Sequence, residues 1–60
     1  MSDFLDGFAA ETNLGRAEAE EQWAAFSRQL TDRERKQIED GGYEVGVIEG
    51  QSFNGMFGTS

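Results

Sequence analysis

The sixty-residue chain contains neither cysteine nor histidine, and this limits how so small a core can be held together. A chain of this length buries only about 60% of the surface that its unfolded form exposes, so a core of its own is marginal. Small proteins usually gain the missing stability from disulfides, structural metals or association. Disulfides are excluded here, and the commonest zinc ligands are absent. We therefore expect a single small domain, spanning 1–60, that gains stability from a partner or from self-association.

The charge balance is strongly acidic, with twelve acidic side chains against five basic ones and a net charge of −7. Nucleic acids and anionic membrane surfaces repel such a chain, so we expect no direct nucleic-acid partner. The same charge would attract a basic surface on another protein. Because acidity also keeps small proteins soluble, charge alone does not identify a function.

The sequence gives no sign of export or of membrane insertion. Residues 1–6 contain no basic leader, and no apolar run approaches the roughly 18 residues that span a bilayer. We expect a cytoplasmic protein that does not insert into membranes.

Composition divides the chain into an N-terminal arm over 1–12, a helical centre over 13–40 and a glycine-rich strand or tail over 41–60. Six of the eight glycines lie in the last segment, which carries only two charged residues. We predict a mainly α fold with a small β or extended C-terminal third.

The strongest element is a helix predicted over 16–30, a segment built almost wholly from good helix formers. Thr12 or Asn13 is available as its N-cap. Its apolar residues fall at i, i+4, i+7 and i+11, which places them on one narrow stripe. They are Ala19, Trp23, Phe26 and Leu30.

A second, short helix is predicted over 32–40. Thr31 and Glu34 have the spacing of a capping box at its start, and the glycine pair at 41–42 is a natural stop after its end. Because Ile38 is its only large apolar residue, this helix must lean on the first one or continue it with a bend. The sequence leaves both a hairpin and a bent rod open.

A strand or hairpin is predicted over 43–58. Tyr43, Val45 and Val47 recur with the period of a strand that has apolar side chains on one face. Asn-Gly at 54–55 is a strong hairpin turn. An isolated hairpin is marginal in water, so this segment is expected to pack on the helices or to add to a partner's sheet.

Two glycine spacings in this segment match those of known motifs, but neither indicates a membrane helix or a phosphate-binding loop here. Gly46 and Gly50 have the spacing of a membrane helix-packing motif, but no apolar span of the necessary length surrounds them. Gly50 and Gly55 have the spacing of a phosphate loop, but Met56 stands where its lysine should follow.

We expect no enzymatic activity, no metal site and no cofactor. Nucleophilic catalysis needs an activating base, and Lys36 is the only candidate, in a densely charged helix. Glu18 with Glu21, and Glu39 with Asp40, lack the convergent oxygen ligands of a calcium loop. We interpret these acidic pairs as solvated helix faces.

The chain reads Leu-Thr-Asp-Arg-Glu-Arg over 30–35, which resembles the opening of the first helix in LuxR-type helix-turn-helix domains. The resemblance covers six residues, and the glycine-rich remainder supplies no basic recognition helix. It therefore leaves unchanged the expectation that the chain binds no nucleic acid.

The remaining sign of function is the set of large apolar residues toward both ends of the chain. Interface hot spots favour rigid aromatic side chains, so these residues are candidate anchors. The predicted partner-binding residues are Phe4, Phe8, Trp23, Phe53, Met56 and Phe57. The competing interpretation is that so small a protein uses all its aromatic residues to build one core.

We predict a non-enzymatic accessory or regulatory subunit that docks on a larger protein assembly through these residues. The alternative is an acidic inhibitor, of the sort that phages encode, which mimics nucleic acid and occupies the basic groove of a nucleic-acid-binding protein. Aromatic docking should persist at high salt, whereas charge mimicry should weaken steeply. The acidic residues available for mimicry are Glu11, Glu18, Glu20, Glu21, Asp32 and Glu34.

Overall fold

A computed structural model describes residues 3–57, and over this range the chain forms four α-helices and no strand. The helices are α1 (Asp3–Thr12), α2 (Arg16–Phe26), α3 (Asp32–Glu39) and α4 (Gly42–Phe57). The predicted fold class is wrong in its C-terminal third, because the segment expected to be a strand or hairpin over 43–58 is helical as far as Phe57. Residue 58 of that range lies outside the described residues.

Glycine residues allow the backbones of α4 and α1 to come into direct contact. A Cβ added at Gly46 would overlap the Phe4 carbonyl oxygen and would lie 2.9 Å from the Phe8 nitrogen. A Cβ added at Gly7, on α1, would likewise overlap the Tyr43 carbonyl oxygen. Each helix therefore presents a glycine to the backbone of the other, and neither position has room for a side chain.

These contacts advance along both helices in the same direction, so α1 and α4 run parallel. Gly46 lies against Phe4 near the start of α1, whereas an added Cβ at Gly50 would lie 2.7 Å from the Glu11 Cβ near its end. The Asn54 side-chain amide then donates to the Glu11 carbonyl at 3.0 Å. Helix α4 thus satisfies a carbonyl close to the end of α1, where helices leave carbonyls unbonded.

Helix α4 would be weak by itself, which explains why its sequence predicts a strand. Each of Gly46, Gly50 and Gly55 costs about 0.5–1 kcal/mol relative to alanine in a helix interior. Packing against α1 offsets this cost, because two backbones in direct contact gain dispersion attraction along their shared length. Tertiary packing therefore overrides both the low helix propensity and the alternation at Tyr43, Val45 and Val47.

The core is an aromatic cluster that joins three helices. Its five members are Phe4, Phe8, Trp23, Phe26 and Phe53. The Trp23 ring centroid lies 4.6 Å from that of Phe4 and 5.7 Å from that of Phe8, and both phenylalanines are fully buried. From α4, Phe53 meets Phe8 and Phe26 edge-on, each at 5.5 Å. Aromatic pairs of this kind contribute about 0.5–1.5 kcal/mol beyond their buried area.

Three of the four residues of the predicted apolar stripe lie on α2, but the helix is shorter than the predicted 16–30, so Leu30 lies beyond its end. Ala19 and Trp23 are buried, and Phe26 is half-buried. Helix α2 ends at Phe26, where the buried Ser27 hydroxyl donates to the Trp23 carbonyl at 2.7 Å. A serine that bonds the preceding turn in this way competes with continued helix formation.

The N-cap predicted for this helix is wrong, because Gly15 occupies that position without a side-chain hydrogen bond. Thr12 and Asn13 instead lie at the end of α1. Asn13 adopts a left-handed φ of 64°, and the Leu14 N–H donates to the Ala9 carbonyl at 3.2 Å. A left-handed residue followed by such a bond is a common way to close a helix C-terminus.

The capping box predicted at the start of the second helix is confirmed in α3. The Thr31 hydroxyl accepts from the Glu34 N–H at 3.1 Å, and the Glu34 carboxylate accepts from the Thr31 N–H at 3.0 Å. Helix α3 ends at Glu39, and Gly42 begins α4 with a φ of 81°, which favours glycine. The turn before Thr31 makes α3 a separate helix, and it packs against α4.

Replacing Gly46 by alanine should lower the free energy of unfolding by about 1–3 kcal/mol, because the new methyl group meets the backbone of α1. Urea unfolding followed by far-UV circular dichroism measures the change. The matched control is Gly55→Ala on the same helix, where an added Cβ meets nothing within 4 Å. This variant should be more stable by about 0.5–1 kcal/mol. A Gly46→Ala protein as stable as the unmodified chain would contradict the α1–α4 contact.

Candidate functional site

An apolar groove opens between the C-terminal end of α2, helix α3 and helix α4, with a cavity volume of about 360 Å³. We call this cavity the groove throughout. It is lined by Trp23, Phe26, Ser27, Gln29, Leu30, Ile38, Glu49 and Met56. Its volume falls within the range of about 300–1,000 Å³ that is usual for binding sites.

The floor of the groove is the outer side of the aromatic cluster. Trp23 is only 4% exposed and Phe26 is half-buried, so the core holds both rings in place. Met56, near the end of α4, is 72% exposed and stands at the rim. A methionine side chain adapts its shape to what it contacts. The groove therefore combines a rigid aromatic floor with an adaptable rim.

One wall of the groove is helix α3. Helix α3 contains no buried residue. It is held by Ile38, which packs against the core, and by the Trp23 indole N–H, which donates to the Glu39 carboxylate at 2.7 Å. Hydrogen bonds to a charged acceptor are roughly twice as strong as neutral ones. This bond ties the α3 wall to the floor.

Glu49 is the only charged residue in the lining of the groove, and it is half-buried. No lysine or arginine among residues 3–57 pairs with it. The two ion pairs in this range join Arg16 to Asp6 at 2.6 Å and Arg35 to Asp32 at 3.0 Å. The groove is therefore an apolar cavity with one carboxylate whose charge has no counterion in the described chain.

The polar side chains in the lining of the groove are those of Ser27, Gln29 and Glu49. Ser27 is its only hydroxyl, and this hydroxyl is bonded to a backbone carbonyl. Lys36 does not line the groove. Within the described range, no three acidic side chains gather closely enough to hold a metal ion.

None of the helices formed by residues 3–57 has the length and apolar character to cross a membrane.

Two of the six predicted partner-binding residues, Trp23 and Met56, meet in the groove. Phe4 and Phe8 are fully buried, which leaves them no surface for a partner. Phe53 is half-buried between other rings of the aromatic cluster.

The sixth predicted residue, Phe57, is the last residue of α4, and its side chain lies outside the described part of the structure. The groove is therefore built from Trp23, Met56 and residues that were not predicted as site residues.

Sequence reasoning missed Leu30, Ile38 and Glu49 as site residues. Glu49 and Met56 share a face only if their segment is helical, since i and i+7 lie together on a helix and apart on a strand. The four-residue spacing of Gly46 and Gly50 is the signal that could have indicated this helix, because residues four apart lie on one helix face, where two glycines permit close packing.

Comparisons with protein-family models, with curated proteins and with solved structures found no match. The groove and its carboxylate are therefore the features of the molecule that bear on function.

Replacing Glu39 by alanine should lower the free energy of unfolding by about 1–3 kcal/mol, because the N–H of the buried Trp23 side chain would lose its hydrogen-bond acceptor. The protein has one tryptophan, so its fluorescence reports on this site alone. We expect the emission to shift to longer wavelength as α3 loosens and water reaches the indole.

The control is Glu39→Gln, which keeps an acceptor oxygen and nearly the same shape. It should retain most of the stability and the emission of the unmodified chain. An alanine variant with unchanged stability and emission would show that the bond does not hold the α3 wall.

Proposed function

We propose that this protein is a non-enzymatic accessory or regulatory subunit, which docks on a larger protein by taking an apolar side chain of that protein into the groove. The observation that carries the proposal is the groove itself, where a fixed aromatic floor meets the exposed Met56. Anchors of protein interfaces are large side chains seated in such desolvated pockets. The proposal keeps the cytoplasmic location expected from the sequence.

The distribution of exposed apolar residues supports docking on the α4 side of the molecule. Tyr43, Ile48 and Met56 are at least half exposed, and all three lie on α4. No other large apolar residue of the described chain is as exposed. Single exposed apolar residues are common, but their concentration on the helix that borders the groove favours a partner at this surface.

Charge supports a basic partner. The net charge of −7 would accelerate encounter with a positively charged surface and would repel acidic ones. The basic side chains are confined largely to one part of the chain, with four of the five between Arg28 and Lys36. Helix α4 has none.

The alternative of nucleic-acid mimicry would rely on charge without the groove. Glu18, Glu20 and Glu21 are exposed on α2 and are available for it. Asp32 and Glu34 are already engaged, the first in an ion pair with Arg35 and the second in the capping box. Docking through the groove therefore accounts for more of the structure.

A short amphipathic peptide of leucine and lysine provides the test. We expect it to bind with a change in Trp23 fluorescence, since this ring forms part of the groove floor. Met56→Lys should weaken binding by about tenfold or more, because burial of a methionine contributes about 1.5–3 kcal/mol. Binding of the unmodified protein should persist at high salt.

The matched control is Ala10→Lys. Ala10 is exposed on α1, a helix that contributes no residue to the lining of the groove. Both variants change the net charge equally, so a difference between their affinities for the peptide measures the contribution of the groove to binding. Equal weakening by the two variants, together with a steep loss of binding in salt, would contradict docking through the groove and favour charge mimicry.

A further inference from the structure

We infer that Glu49 selects the partner: the groove takes an apolar side chain from a segment that also carries a lysine or arginine beside it, and this cation pairs with the Glu49 carboxylate. The inference rests on the proposed function and names the chemistry of the segment that docks. It identifies a specificity-determining residue within the groove.

In the free protein, Glu49 lies in the groove without a counterion among the described residues. Its side chain is half-buried in an otherwise uncharged lining that includes Trp23, Phe26 and Ile38. Taking a carboxylate out of water is costly unless a counterion or hydrogen-bond donors replace the water. None of the five basic side chains, all of which the structure describes, forms an ion pair with it.

A partner that fills the groove changes the surroundings of Glu49. An apolar side chain that displaces water from the floor also removes water from Glu49, on the wall beside it. A purely apolar segment would leave this carboxylate buried and unpaired, and an acidic segment would add repulsion. A segment with a neighbouring lysine or arginine supplies the missing charge. Electrostatic complementarity of this kind discriminates between partners more than it raises affinity.

Glu49 is placed to act together with the apolar contacts of the groove. Glu49 and Met56 are seven residues apart on α4, and therefore on one face of the helix. Both line the groove, whose lining also includes Leu30, from the turn between α2 and α3, and Ile38, from α3. One docking segment can thus meet the apolar rim and the carboxylate at the same time.

A double-mutant cycle with the leucine-lysine peptide tests the inference. Glu49→Gln should weaken binding of this peptide by about five- to tenfold, as expected for a partly buried charge pair. The control Glu44→Gln removes an exposed carboxylate of α4 outside the groove and should weaken binding less than about twofold. The two variants have the same net charge, so a difference between their affinities for the peptide isolates the contribution of the Glu49 carboxylate to binding.

Peptides in which one lysine at a time is replaced by glutamine show which lysine pairs with Glu49. Against the unmodified protein, one of these replacements should weaken binding as much as Glu49→Gln does, and it should have no further effect on the Glu49→Gln variant. Coupling spread evenly over all the lysines would overturn the inference. In a second arm, Glu49→Lys should regain binding to a peptide that carries glutamate at the coupled position.

The melting temperature separates selection of a partner from a structural role. Glu49→Gln removes a charge that has no partner within the described chain, so the melting temperature of the free protein should be unchanged or higher. A clear decrease would show that Glu49 stabilises the fold, and would overturn the inference. Equal effects of Glu49→Gln and Glu44→Gln, with binding still dependent on Met56, would also overturn it while leaving the proposed function intact. Peptide binding that does not depend on Met56 would overturn both the inference about Glu49 and the proposed function.

Discussion

The direct contact between the backbones of α1 and α4 is the constraint on which the rest of the structure depends. Gly7, Gly46 and Gly50 stand where an added Cβ would strike the opposite helix. Because the two helices approach so closely, the Phe8 ring on α1 can meet the Phe53 ring on α4. Small residues at a helix crossing are best known from membranes, where they permit the same approach. Here the contact compensates for the poor helix propensity of α4.

The groove follows from how this small core is completed. The aromatic cluster needs a cover on the side away from α1, and α3 covers it only in part, through Ile38 and the bond from Trp23 to Glu39. The remaining gap exposes the edge of the core beside Met56. In a larger protein another element would fill such a gap. In this chain the same surface is available to a partner, with Glu49 as its single charge.

The sequence predicts the parts of the fold that depend on local chemistry. The stripe containing Ala19 and Trp23, and the capping box at Thr31, are visible because helix periodicity and cap spacing act over a few residues. Helix α4 could not be predicted in the same way, because its glycines and β-branched residues oppose a helix until α1 is in place. Of the site, Trp23 and Met56 were predicted from their chemistry. Glu49 required the helical register, which puts it on the face of Met56.

The parallel pairing of α1 with α4 also sets an order of events during synthesis. The ribosome makes α1 first and α4 last among the described helices, so the growing chain carries Phe4 and Phe8 without the helix that buries them until α4 has been made. Contacts between segments so far apart in sequence form only after a long loop has closed. A chain that stops before Gly46 would therefore present its core aromatic residues to the cell, which makes it a natural client of chaperones and proteases.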